Sequence, residues 1–215
     1  MILALNGSPR QNGNTAAMLQ AALDGASSVG AETRLVQLYP LRFKGCVSCF
    51  SCKRKGGRHG FCAMQDELTP VLEMMTGADA LIFGSPIYYY NITPELLGLL
   101  HRFMFSNMLY TKKDRWQFGR VVPSAFVYTF GVGPDMTADI LRPFEAVHSR
   151  MGDMLGVPPE ICCAANAWQF HDYSKYEADL FDVDAKRRYR EEVFPLELQK
   201  AHDMGRRLAL AVGRN

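Results

Sequence analysis

The sequence lacks an excess of either charge: 24 basic and 22 acidic side chains leave a formal +2 over 215 residues. No overall field therefore draws the chain to nucleic acid or to an anionic membrane, and neither is expected as a partner. Long apolar runs are also absent. The run within residues 78–83 falls far short of the roughly 20 residues that cross a bilayer. Residues 1–5 lack the charged n-region and long h-region of a secretory leader, which predicts a cytoplasmic location. In that reducing compartment six cysteines do not read as a disulfide framework, so their clustering must reflect ligands, redox groups or packing. No internal repeat, linker or low-complexity stretch divides the chain.

What is present is an ordinary globular composition, 48% apolar and 21% charged, with enough material for one core. Short apolar runs alternate with amphipathic stretches, the pattern of parallel strands joined by crossover helices. Strands are expected at residues 2–6, 32–38, 78–83, 121–129 and 160–167. Leu19, Ala22, Leu23 and Ala26 fall on one helical face that Gly30 ends, and Leu68, Val71, Leu72 and Met75 repeat the spacing. Thr93-Pro94-Glu95 reads as an N-cap with proline at N1, leading into Leu96, Leu99, Leu100 and Phe103. Further helices are expected at residues 135–155 and 196–212, with Pro195 near the start of the second. Residues 171–184, aromatic and acidic without a period, read as irregular, and Lys186-Arg187-Arg188 as one more helical turn.

Asn6-Gly7-Ser8-Pro9-Arg10-Gln11-Asn12-Gly13-Asn14-Thr15 lies between the first strand and the first helix. Glycines permit close backbone approach to an anion, the Ser8 and Thr15 hydroxyls can donate, Arg10 adds charge, and the helix N-terminus contributes about half a positive charge. This is neither a Walker A loop nor the G-x-G-x-x-G dinucleotide fingerprint, so a mononucleotide phosphate is the expected occupant. The plainer alternative is a polar turn with Asn14 as helix cap. In doubly wound sheets the loops after strands one, three and four meet at one edge. The third loop, Gly84-Ser85-Pro86-Ile87-Tyr88-Tyr89-Tyr90-Asn91, offers amides and aromatic faces, and the fourth, Thr129-Phe130-Gly131-Val132-Gly133, lets backbone approach a flat ring.

The GSPRxxGNT-type first loop and the GSPIYYYN third loop resemble the NAD(P)H-dependent FMN reductase branch of the flavodoxin-like superfamily, over about residues 1–165. The resemblance implies a flavodoxin-like α/β fold, a three-layer doubly wound parallel sheet of five strands in the order 2-1-3-4-5. It implies bound FMN, NAD(P)H as electron donor, and a homodimer or homotetramer. Carried over by position, Ser8, Arg10, Asn12, Gly13, Asn14 and Thr15 hold the phosphate. Pro86, Ile87, Tyr88, Tyr89 and Asn91 border the isoalloxazine ring, with Thr129 and Gly131 on its other side. No catalytic acid or base is required, because hydride passes from nicotinamide to flavin N5 and the protein positions the rings. Residues 1–167 would form this domain, and residues 168–215 a C-terminal helical extension on the same domain or on a dimer partner.

Cys46, Cys49 and Cys52 form C-x2-C-x2-C, and Cys62 follows after nine residues, within the loop at residues 45–62. Four soft thiolates at this spacing suit a [4Fe–4S] cluster or a tetrahedral zinc, and free or redox-active thiols are the third reading. The arrangement resembles the iron-sulfur flavoproteins of the same superfamily, which pass single electrons between cluster and FMN. The chain departs from them in a longer last gap with a basic filling, Lys53-Arg54-Lys55-Gly56-Gly57-Arg58-His59-Gly60-Phe61. That stretch reads as a solvated loop, or as an attractor for the extra phosphate of NADPH or an acidic electron partner. The expected partners are thus small-molecule or protein electron donors and acceptors. A cluster-free FMN, quinone or azo-compound reductase is a rival reading, and a zinc-bound interaction module is another that leaves both FMN-like loops unexplained. Cys162 and Cys163 sit in the fifth strand, where adjacent side chains face opposite ways, and read as packing, as do Met74-Met75 and residues 103–105. His59 and His101 lack the partner spacing of metal ligands.

Overall fold

The computed structural model describes residues 1–113 and 115–212. Five parallel strands, β1 (Ile2–Asn6), β2 (Thr33–Gln37), β3 (Ala80–Pro86), β4 (Ser124–Thr129) and β5 (Glu160–Ala164), form one sheet in the order β2-β1-β3-β4-β5. Every residue of β1, β3 and β4 is buried, which is why these strands read as continuous apolar runs: both faces are covered by helices. The crossovers are α1 (Asn14–Ser27), α2 (Thr69–Gly77), α3 (Pro94–Asn107), α4 (Thr137–Leu141) and α5 (Glu145–Leu155), and the chain ends in α6 (Val183–Glu192) and α7 (Phe194–Val212).

Alternation along the strands splits the core in two. On one face Leu3, Leu5, Leu81, Phe83, Phe126 and Tyr128 pack against Leu99, Phe103, Met151 and Leu155. On the other, Ile2, Ala4, Ile82, Ala125 and Val127 pack against Leu19 and Leu23 of α1 and Ala201, Met204 and Leu208 of α7. Helices α1 and α7 touch backbone to backbone. A Cβ on Gly25 would stand 1.9 Å from the His202 carbonyl oxygen, and one on Gly205 1.7 Å from that of Ala22.

Several boundaries differ from those expected. β3 begins at Ala80 rather than residue 78 and runs on to Pro86. β4 begins at Ser124 rather than residue 121, because Pro123 has no N–H for a ladder and the Val122 amide is drawn to the Leu155 carbonyl, 2.9 Å. β5 stops at Ala164, since Asn166 takes a left-handed φ of 43°. The single helix expected at residues 135–155 is broken into α4 and α5 around a 3₁₀ turn, Arg142–Phe144, whose Pro143 cannot donate to the helical ladder. Residues 186–188 belong to a full helix, α6, capped by the Asp182 carboxylate accepting from the Ala185 amide at 2.9 Å. The polar composition of α6 hid it from a search for apolar periodicity.

Candidate cofactor-binding cleft

The loop after β1 is shaped by its own side chains. Asn6 Oδ1 accepts from the Ser8 amide at 3.0 Å, Ser8 Oγ accepts from the Arg10 amide at 3.1 Å, and the Gly13 amide donates to the Arg10 carbonyl at 3.0 Å. Gly13 is the N-cap of α1, without a side-chain cap. Asn14 therefore is not the cap, and its side chain reaches across the loop, Nδ2 donating to the Trp168 carbonyl at 2.9 Å and Oδ1 accepting from Arg190 at 3.0 Å. The first intrahelical bond of α1 runs from the Ala17 amide to the Gly13 carbonyl, so the amides of Asn14, Thr15 and Ala16 have no acceptor within the helix, the usual condition of an anion site. Thr15 Oγ1 meets Thr129 Oγ1 at 2.8 Å and joins the first loop to the fourth.

The third loop is a tight turn. Tyr88 and Asn91 exchange backbone hydrogen bonds of 2.8 and 3.0 Å, with Tyr89 and Tyr90 at its tip in left-handed conformation, φ 48° and 58°. The Ile87 amide donates to the Thr129 carbonyl at 2.9 Å, seating this turn beside β4.

One cavity of about 650 Å³ lies along this edge. From the first loop Ser8, Arg10, Asn12, Gly13, Asn14 and Thr15 line it, from the third Pro86, Ile87 and Tyr88, and from the fourth Thr129 and Gly131. Tyr89 and Asn91 lie outside the lining. Tyr89 points into solvent, fully exposed, while Asn91 closes the turn and caps the next amide through Oδ1, 2.9 Å from Ile92 N. Both shape the turn that presents Tyr88. Gly131 lies against the Gln169 amide: a Cβ there would stand 2.3 Å from Gln169 Nε2, so the Gln169 side chain would have to turn aside to admit one.

Residues 167–171, Tyr176 and Arg190 complete the wall and were not expected from the sequence. The aromatic density of residues 168–181 was the available signal, but this segment has no period because it folds by ring packing. Phe170 stacks on Tyr176 at 4.1 Å, Trp168 meets Tyr173 edge-on at 4.7 Å, and Arg10 fixes the strap by donating to the Gln169 carbonyl at 2.5 Å. Arg10 and Arg190 are the charged side chains of the lining, which among the described residues contains no Asp or Glu.

The sequence profile of NADPH-dependent FMN reductases matches residues 1–156. The chain belongs to the NADPH-dependent FMN reductase family. An iron-sulfur flavoprotein of Methanocaldococcus jannaschii is 32% identical over 101 residues, 47% of this chain and 50% of the relative. One from Archaeoglobus fulgidus is 32% identical over 107 residues, half of each chain. The chain thus spans about half the length of the curated relatives it matches. Among solved structures, an NAD(P)H:quinone oxidoreductase from Methanothermobacter marburgensis superposes with a TM-score of 0.69 at 16% identity, covering 96% of this chain and 98% of that one. An FMN-dependent NADH-azoreductase from Bacillus anthracis, in complex with FMN, gives 0.66 at 13% identity, covering 97% and 98%. Both share the flavodoxin-like fold with this member of the reductase family.

The cysteine loop forms a separate centre beside α3. Cys46, Cys49, Cys52 and Cys62 all line one cavity of about 20 Å³ together with Arg102 and Phe105, room for about one water molecule. Among the described residues no three His, Cys, Asp or Glu side chains stand in a metal-holding arrangement. Hydrogen bonds from Ser51, its amide first and then its hydroxyl, hold the exposed Cys49 thiol below its ordinary pKa. Arg102 is fully buried; it pairs with Asp66 at 2.6 Å and donates to the Lys44 and Met64 carbonyls, while its Nε has no partner. His59 Nδ1 lies 3.0 Å from the Cys52 carbonyl, a loop contact, and His101 is exposed. Lys53 is drawn onto the Phe105 carbonyl and ring, so the basic stretch is partly tied down. Cys162 and Cys163 face opposite sides of the sheet, and burial pushes their thiols up to about 11 and about 12. Among the described residues no helix is long and apolar enough to cross a membrane.

Proposed function

We propose that the protein is an FMN-dependent oxidoreductase that accepts electrons from NADH or NADPH and passes them to a small-molecule or protein acceptor. The observation that carries this reading is the convergence of the first, third and fourth sheet-edge loops on one cavity. The residues fit the group: the free amides of α1 and the remaining N–H donors of Arg10 suit a phosphate dianion. Ile87, Tyr88 and the Trp168 to Phe170 strap offer apolar and aromatic faces to a flat ring. Bound FMN supplies hydride acceptance at N5 and onward electron transfer. The chain's own contribution is to bind the phosphate, hold the ring edge and exclude water, and no side chain has to move a proton. Aerobic and anaerobic purification, visible spectra and NAD(P)H oxidation test the reading. A colourless protein that takes up no added FMN sinks it.

The four-cysteine centre supports a second, finer reading, that of an iron-sulfur flavoprotein like the relatives from Methanocaldococcus jannaschii and Archaeoglobus fulgidus. The donor set suits a [4Fe–4S] cluster or zinc, and the unpartnered Nε of buried Arg102 suits an anionic group beside it. Iron, sulfide and zinc assays on anaerobically purified protein decide between cluster, zinc and free thiols. We assign the exposed tyrosine turn at residues 88–90 to a homodimer contact; sedimentation of Tyr89→Ser against the unaltered protein tests it, an unchanged mass refuting that face.

A further inference from the structure

Lys186 is a buried cation without a counter-ion. The residue is 2% exposed, and Nζ lies 2.8 Å from the Gly131 carbonyl oxygen, 2.9 Å from Asn166 Oδ1 and 3.4 Å from the Ala167 carbonyl oxygen. All three acceptors are neutral. None of the ion pairs among the described residues includes it, and Nζ stands over the face of Phe181, 4.8 Å from the ring centroid. Taking an ammonium from water into such surroundings opposes its charged form. Three acceptors within 3.4 Å oppose that tendency, because an ammonium has three protons to give and a neutral amine has two.

The position of this charge gives it a use. Gly131 and Ala167 both line the cleft, so Nζ lies one peptide group behind its wall, beside the loop after β4 that borders the ring in the FMN reading. Asn166 stands between them with φ 43°, its amide donating to the Val132 carbonyl at 2.7 Å, while the Ala167 amide donates to that of Phe130 at 2.9 Å. The loops after β4 and β5 are thus laced together, and Lys186 ties the lacing to α6. Arg10 stands in the first loop and Arg190 donates to its Asn14 Oδ1 at 3.0 Å, so in the FMN reading both serve the phosphate, whose charge does not change during turnover. In that reading the ring is where negative charge arrives on reduction, and among the described residues no carboxylate lines the cleft to offset a cation there.

We propose that Lys186 is a positioning residue of the flavin site, clamping the loops after β4 and β5 and using its unpaired charge to favour the reduced, more negative flavin. This rests on the FMN reading above. Removing the charge weakens binding of reduced FMN more than that of oxidised FMN, by on the order of tenfold, equivalent to about 30 mV in a two-electron midpoint.

The test uses the full chain reconstituted with FMN, measuring the flavin midpoint by dye-equilibrated spectral titration and the dissociation constant of each redox form. Lys186→Met removes the charge and the tie together. Asn166→Asp keeps the tie, tolerates the left-handed backbone, and places a negative charge beside Nζ. Both variants lower the midpoint, and Lys186→Arg retains most of it. Should Lys186→Met fail to fold, Asn166→Asp decides alone. Equal weakening of both redox forms in Lys186→Met, or an unchanged midpoint in Asn166→Asp, reduces Lys186 to a structural tie and overturns the inference while the FMN reading stands. An unaltered protein that binds no FMN overturns both.

Discussion

The hydroxyls of Thr15 and Thr129 meet at 2.8 Å with both residues buried, tying the first turn of α1 to the last residue of β4. A buried hydroxyl that loses its only partner keeps its desolvation penalty. Thr15→Val is therefore expected to destabilise the cofactor-free protein by about 1–3 kcal/mol, and the Thr15→Val/Thr129→Val pair by less than the sum of the two. Urea unfolding of the four proteins in a double-mutant cycle checks this, and additive effects would show that the bond contributes nothing.

The contact between α1 and α7 makes a sharper demand. Because a Cβ on Gly205 would lie 1.7 Å from the Ala22 carbonyl oxygen, the two backbones must separate to admit even a methyl group. Gly205→Ala is expected to cost about 3 kcal/mol, despite alanine's higher helix propensity. Thermal unfolding should show the drop, and a raised midpoint would mean that the helices are not held at this distance.

The sheet order and the residues at its edge were readable because each depends on local pattern. Buried parallel strands are apolar throughout, as in β1 and β3, and the Gly7, Ser8 and Pro86 loops have few other uses. The strap from Trp168 to Tyr176 was not readable. It is fixed by ring stacking and by hydrogen bonds to Arg10 and Asn14, more than 150 residues earlier in the chain. Lys186 was hidden for the opposite reason: beside Arg187 and Arg188 it looks like surface charge, and its burial depends on where α6 lands. Tyr89 and Asn91 were placed by family position, and the conformation of their turn, with Tyr89 exposed and Asn91 bonded to Tyr88 and to the Ile92 amide, was not readable from the sequence.

Arg102 and Asp66 give a test of the ground beneath the cysteine loop. The guanidinium is fully buried and the carboxylate largely so, at 2.6 Å. Asp66→Asn keeps the oxygen that accepts from the Leu68 amide but leaves the guanidinium without a counter-charge. A loss of about 3 kcal/mol is expected, at the low end for a broken buried pair because Asp66 keeps some contact with water. Calorimetry on the thiol-blocked protein separates this from any metal effect, and an unchanged transition would place the pair among those that contribute nothing.

Tyr128 and His148 predict how stability depends on pH. Tyr128 Oη and His148 Nε2 are 2.7 Å apart, and burial pushes the Tyr128 phenol well above its ordinary pKa, so the phenol donates and the ring nitrogen accepts. Burial among Phe126 and Phe144 pushes His148 down to about 4, so the fold keeps a neutral ring. The unfolded chain takes up its proton near pH 6.5, the folded protein only near 4. Between those values the unfolded state binds more protons, and stability contributed by the neutral ring falls as pH is lowered; above pH 6.5 the group adds no slope. His148→Phe keeps an aromatic ring in place and removes the titration. Its unfolding free energy should be lower than that of the unaltered protein at pH 7.5, from the lost Tyr128 partner, with the gap narrowing as pH falls towards 4. Carboxylates titrate equally in both proteins and cancel in the difference. Parallel stability curves from pH 7.5 to 4 would show that His148 takes up its proton within the folded protein as easily as outside it.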